Sequence, residues 1–191
     1  MIGRINTDWI SRKRWDSEMG FDIYGTHLPA LMAAVASTEG PILECGAGDY
    51  STPILHEIAN QSGRFLVTLE TDAKWLSKFQ DLSGDLHKII LVKNWTDERI
   101  IDKEWSVALI DHAPGERRIE EIRRLADLAT FIVVHDTETD YATGANYGYE
   151  PVFSRFKFRT DYRRYRPYTT VVSNFRKLGL NDRQWKPEDN G

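Results

Sequence analysis

The chain has 191 residues, enough for one domain with a full hydrophobic core, and its 41% hydrophobic and 28% charged content is ordinary for a globular protein. A net charge of −4 excludes a global basic field, so bulk nucleic-acid affinity is disfavoured. No apolar run approaches a membrane span, Met1 to Gly20 lacks the apolar core of a signal peptide, and Cys45 is the only cysteine, which excludes an intrachain disulfide and a thiolate zinc cluster. A cytoplasmic protein with no membrane partner is expected.

In chain order, residues 1–25 carry Trp9, Trp15, Phe21 and Tyr24 among charges without a sustained period, and read as an N-terminal arm. A core follows over residues 26–180. From Thr26 the spacing of Leu28, Leu31, Met32 and Val35 predicts a helix that ends at Gly40-Pro41. Ile42 to Cys45 predicts a short buried strand, followed by the turn Gly46-Ala47-Gly48-Asp49-Tyr50-Ser51. The next helix is expected to start at Pro53, capped by Thr52, and to stop near Gly63.

Phe65 to Glu70 predicts a second strand, and Asp72 a cap for a helix carrying Trp75, Leu76 and Phe79. Lys88 to Val92 and Val107 to Asp111 predict strands three and four, with a helix over about Glu116 to Leu128 between strand four and the fifth, Phe131 to Asp136. Alternating apolar strands and amphipathic helices predict an α/β fold: a Rossmann-like, doubly wound, mostly parallel sheet. Thr137 to Glu150 reads as a loop over the site. Two strands, Phe156 to Tyr162 and Tyr168 to Ser173, are expected to close one sheet edge as an antiparallel pair, before a polar tail over 181–191.

Ligands of such sheets bind beyond the carboxyl ends of the strands, where Glu44, Glu70, Asp111 and Asp136 are expected to share one rim. Gly46 and Gly48 let backbone approach a ligand closely. Ser51 stands where a dinucleotide site wants its third glycine, and Glu44 would repel a phosphate but suits a cation. Glu-x-Gly-x-Gly over Glu44, Gly46 and Gly48 resembles the first motif of the class I S-adenosylmethionine-dependent methyltransferases. That resemblance implies that Glu44 and the turn (Gly46, Ala47, Gly48, Tyr50, Ser51) hold the methionine end of S-adenosylmethionine. It further implies that Glu70, about 20 residues beyond the turn, accepts the ribose hydroxyls. Asn94 and Trp95 would border the adenine, with Asp111 at the rim serving cofactor and chemistry alike.

Within that superfamily the chain looks like the catechol-type O-methyltransferases, through Glu44, Gly46, Ala47, Tyr50 and Ser51, through Asp111-His112, and in part through Asp136-Thr137. This implies a Mg²⁺ held by Asp111, Asp136 and Thr137, although Pro114 stands where that family carries its lysine base. A looser similarity, to glucuronoxylan-type polysaccharide methyltransferases, rests on Asp111-His112-Ala113-Pro114-Gly115 and Val134-His135-Asp136, and implies a sugar hydroxyl as acceptor. His112 and His135 are the candidate bases, since imidazole titrates near neutrality. Small-molecule and sugar acceptors stay open, as does the oligomeric state. Two other readings also stay open: a nicotinamide-dependent oxidoreductase, opposed by the missing third glycine, and a non-catalytic cofactor-binding protein that holds RNA through the basic, tyrosine-rich segment Arg155 to Lys177.

Overall fold

The computed structural model describes residues 23–139 and 146–180. The expected arm (apart from 23–25), the polar tail, and residues 140–145 of the loop after strand five lie outside these. Within them the elements are α1 (Leu28–Ala36), β1 (Ile42–Cys45), α2 (Ser51–Ser62), β2 (Leu66–Glu70), α3 (Ala73–Leu76), β3 (His87–Leu91), β4 (Trp105–Ile110), α4 (Arg118–Leu125), β5 (Ala129–His135), α5 (Glu150–Phe153), β6 (Phe158–Tyr162) and β7 (Thr169–Ser173).

The seven strands form one sheet in the order β3-β2-β1-β4-β5-β7-β6. The first five are parallel, and β7 runs antiparallel between β5 and β6. The expected α/β architecture with a closing antiparallel pair is therefore present. Every residue of β1 and β2 is buried, as a parallel strand covered on both faces requires. Alternate strand residues feed two separate cores. Leu43, Cys45, Ala108, Ile110, Ile132 and Val134 pack with Ile122 and Leu125 of α4 on one face. Ile42, Val107, Leu109, Phe131 and Val133 pack with Leu31 and Val35 of α1 and Leu55 of α2 on the other. This is the period-two alternation of a strand expressed as two layers of helices. No helix of the described residues is long and apolar enough to cross a membrane.

Register positions the site. Cys45 lies opposite Leu69 on one side and Ile110 on the other, and Ile110 lies opposite Val134. The residues that follow, Gly46, Glu70, Asp111 and His135, therefore emerge at one edge of the sheet. The order reverses direction between β1 and β4, the place where open α/β sheets leave a crevice.

Several elements differ from the sequence expectation, most by one to three residues at an end. Helix α2 begins at Ser51 rather than Pro53, with no side-chain cap. The Thr52 hydroxyl instead donates to Glu44 Oε2 at 2.9 Å and accepts from the Gly48 amide at 2.8 Å. The helix after Asp72 is α-helical only to Leu76 and continues as 3₁₀ turns over Ser77–Leu82, while the Asp72 cap itself forms, accepting from the Trp75 amide at 2.9 Å. The short α5 falls at the end of a segment expected to be loop alone. The helix α2 stops at Gly63, as expected, and that residue takes the left-handed conformation.

Gly46 is the position where glycine is indispensable. Its φ is +97°, and a Cβ there would lie 2.7 Å from the Asp111 carbonyl and the His112 amide. Gly46→Ala thus meets both left-handed strain and a backbone clash between the ends of β1 and β4. The expected loss is about 2 kcal/mol or more, seen as a Tm lower by roughly 4–8 °C in thermal unfolding. An unchanged Tm would show that the turn is not locked against β4.

Candidate functional site

The strand ends open onto a cleft of about 740 Å³, lined by Ala47, Gly48, Asp49 and Tyr50 of the turn, Glu70 and Asp72 after β2, Trp75, and Asp111, His135 and Asp136 after β4 and β5. Arg118, His27, Tyr24 and Pro167 also line it. Of the four strand-end acids, three face this cleft. Glu44 does not: it is wholly buried beneath the turn, where its Oε2 accepts from Thr52 at 2.9 Å and from Thr68 at 2.6 Å. Burial pushes its carboxyl up to about 7, against the opposing pull of the Ser51, Thr68 and Thr52 hydroxyls. It braces the loop from below. Ser51 is buried beside it, away from the cleft lining.

Glu70 is built as an acceptor. Its Oε1 takes the amides of Thr71 (2.6 Å) and Asp72 (3.0 Å), and its Oε2 takes that of Ala47 (3.2 Å). These bonds tie the β2 end to the glycine turn and fix the carboxylate, while Oε2 keeps room to accept a further donor from the cleft. Trp75 closes the same corner, donating its indole N–H to the Ala47 carbonyl at 2.6 Å. It, and not Trp95, is the tryptophan that lines the cleft. Trp95 is buried, stacked on the His112 ring at a centroid distance of 4.0 Å, with its indole N–H on the Ala113 carbonyl. Asn94 is exposed and bonded to Asp97. Neither residue expected at the adenine borders the cleft.

The other wall is organised by Arg118. One guanidinium arm reaches Asp136 Oδ2 at 3.0 Å and the other Asp111 Oδ1 at 3.1 Å, while Nε donates to the His112 carbonyl at 2.6 Å. His135 joins them: its Nδ1 is 3.2 Å from Asp111 Oδ2, and its Nε2 is 2.9 Å from the Thr26 hydroxyl. That hydroxyl donates to the Pro167 carbonyl at 2.8 Å, so it receives the His135 Nε2–H. Burial would lower His135 and raise Asp111, but the attraction between the two, with Arg118 reinforcing Asp111, outweighs it. His135 is held above the ordinary imidazole range and Asp111 below the ordinary carboxylate range. The Asp111 contact thus favours the protonated form of His135, which works against its expected role as a base.

His112, the other expected base, lies outside the cleft. It is buried with its Nε2 3.2 Å from Glu121 Oε2, under α4. Thr137 is likewise withdrawn, its hydroxyl accepting from Thr170 at 3.0 Å. The three expected Mg²⁺ ligands are thus not gathered around a point: Arg118 stands between the two aspartates and Thr137 is elsewhere. The donor set does not fit that ion. Asp136 holds its carboxylate on Arg118 from a left-handed backbone, φ +56°, which costs a non-glycine residue about 1 kcal/mol or more.

Arg118 and His27 were not among the sequence-derived candidates. Arg118 carried a readable signal: a cation in the first turn of a helix opposes the helix dipole, so carboxylates must be near to hold it there. His27, one residue before α1, had none. It is 2% exposed, its ring meets that of His135 edge-on at 4.8 Å, and neither of its nitrogens has a hydrogen-bond partner among the described residues. Burial, then the charge of His135, lowers it to about 4, so it is neutral.

No family model and no curated protein matches the chain in sequence. Solved structures match in fold. The cofactor-bound structure of Rv0187 from MTB aligns with TM-score 0.53 and 15% identity over 89% of this chain and 87% of that one. The hMettl16 catalytic domain in complex with a MAT2A 3'UTR hairpin aligns with TM-score 0.53 and 12% identity over 78% and 70%. Fibrillarin, in a complex with Nop5p, aligns with TM-score 0.52 and 14% identity over 83% and 86%. The chain has the class I methyltransferase fold.

Glu44 makes stability pH-dependent in a definite direction. Between about 4.5, its ordinary value, and about 7, the unfolded chain has released a proton that the fold retains. Folding stability from this group is therefore lost as pH rises through that window and is constant above it. Urea unfolding at pH 5 and pH 8 should show the wild-type chain losing on the order of 3 kcal/mol relative to Glu44→Gln. Parallel pH profiles would mean that Glu44 ionises normally beneath the turn.

Proposed function

We propose that the chain is an S-adenosylmethionine-dependent methyltransferase that acts on a hydroxyl oxygen of a small molecule or sugar. The observation that carries this reading is Glu70: a carboxylate at the end of β2, fixed by three backbone amides of the turn and the β2–α3 loop, facing the cleft at the reversal of strand order. A ribose diol is the natural partner of such a fixed acceptor. The cleft also fits a cationic ligand, since among the described residues Asp49, Glu70, Asp72, Asp111 and Asp136 line it against Arg118 and His135, and its volume suits a nucleoside-sized molecule.

S-adenosylmethionine supplies an electrophilic methyl group on a sulfonium. What remains for the chain is to bind, align and deprotonate. The glycine turn and Glu70 would hold the cofactor from the β1 and β2 ends, with Trp75 as the aromatic wall beside them. Asp111 and Asp136, held by Arg118, are the acceptors on the opposite wall. An acceptor hydroxyl would become strongly acidic as its oxygen bonds to the methyl group, so a carboxylate oxygen on this wall would take its proton. His135, in contact with Asp111 through Nδ1, orients that carboxylate. Alignment of acceptor and methyl in one cleft is worth several orders of magnitude in rate.

A nucleic-acid acceptor is the second reading. It is favoured by the RNA hairpin in the hMettl16 complex and by Arg163, Arg164 and Arg166 beside Tyr165 and Tyr168 at the β6–β7 turn. The acid-lined cleft opposes it. Calorimetric titration decides the class of ligand. Micromolar binding of S-adenosylmethionine and its demethylated product, weakened at least tenfold by Glu70→Gln, is expected. No binding of either, or binding of a nicotinamide cofactor instead, would overturn the reading.

A further inference from the structure

We propose that His27, Asp111 and His135 form a binding site for one divalent transition-metal ion of the zinc, cobalt or iron kind, on the wall of the cleft away from the glycine turn. One ligand atom from each residue lies within 4.8 Å of the others, and the three come from distant parts of the chain: the residue before α1, the end of β4 and the end of β5. Two imidazoles and one carboxylate select a borderline metal over Mg²⁺, which prefers oxygen ligands throughout. This set shares only Asp111 with the oxygen-rich trio expected from the sequence.

Three features of the site bear on this assignment. The first is His27. A buried imidazole with neither nitrogen hydrogen-bonded among the described residues is costly unless something else uses its lone pair. Because no hydrogen bond holds the ring, it can turn toward His135 and Asp111 without breaking one. The second is the bite between His135 and Asp111. Their Nδ1 and Oδ2 are 3.2 Å apart, and two ligands roughly 2.1 Å from one ion sit roughly 3.0–3.4 Å from each other in octahedral or tetrahedral geometry. An ion can therefore take the place of the proton between them.

The third feature is the outer contact. His135 donates its Nε2–H to Thr26, whose own hydroxyl is committed to the Pro167 carbonyl. A metal-binding histidine is commonly oriented in this way, with one nitrogen tied back to the protein so that the other faces the ion. Arg118 does not close the site. It binds Asp111 through Oδ1 and is balanced by Asp136, which leaves Oδ2 to the ion.

The site is tested on the full chain after treatment with a chelator. Calorimetric titration with Zn²⁺ should give one ion per chain at micromolar affinity or tighter, undisturbed by millimolar Mg²⁺. His27→Ala, or His27→Gln if the alanine variant does not fold, should weaken it at least tenfold. X-ray absorption of the Zn²⁺-loaded wild-type chain should show two imidazole ligands, a readout that needs no variant and no cofactor. Absence of stoichiometric binding, unchanged affinity in a folded His27 variant, or a shell of oxygen ligands alone would each overturn the proposal. None of these outcomes bears on whether S-adenosylmethionine binds, so the two readings fail separately.

Discussion

The Arg118 guanidinium is the contact on which one wall of the cleft depends. Asp111 and Asp136 end adjacent parallel strands, and two carboxylates held this close repel each other unless a cation stands between them. Arg118 meets both at about 3 Å and also takes the main-chain carbonyls of His112 and His135. It thereby fixes the ends of β4 and β5 relative to α4 with one side chain. The planar fork matters: a lysine could neutralise the charge but could not span four oxygens. Buried charge of this kind is poor evidence for net stability, because desolvation offsets the attraction. Its effect is geometric, holding Asp111 and His135 where a ligand can meet them.

The opposite wall is set by a different constraint, the close approach of β1 to β4 at Gly46. With no side chain there, the turn folds over the sheet edge and its Ala47 amide reaches Glu70. Glu44, wholly buried below, holds the turn through Thr52, whose hydroxyl also takes the Gly48 amide. The cleft therefore has one wall made of backbone amides and fixed carboxylates, and another made of ion pairs. The first suits a nucleoside; the second suits a group that gives up a proton.

Much of this was legible in the sequence where a feature repeats along the chain. Short apolar runs located five strands, three of them ending in an acid, and with parallel register those ends had to share one edge, which is why Glu70, Asp111 and Asp136 fall around the cleft. What was not legible depends on side-chain direction. Glu44 sits one residue before the strand's last position and so points into the helix-covered face instead of the cleft. Trp95 follows the third strand in a polar stretch, yet it is drawn under α4 by the His112 ring and the Ala113 carbonyl, while Trp75 of α3 takes the cleft. His112 follows Asp111 directly but alternates to the other side, where Glu121 meets it. Arg118 and His27 are tied into the cleft in part by contacts across 18 or more positions, with Asp136 and with the ring of His135, and no local spacing announces such contacts.

The central claim, that this cleft is a nucleoside-sulfonium site built on the glycine turn and Glu70, is tested most directly by amide hydrogen exchange with and without S-adenosylhomocysteine. Added protection should fall on residues 46–52 and 70–76, with the β6–β7 pair unchanged. Protection confined to residues 158–173, or none at the turn at saturating ligand, would contradict it.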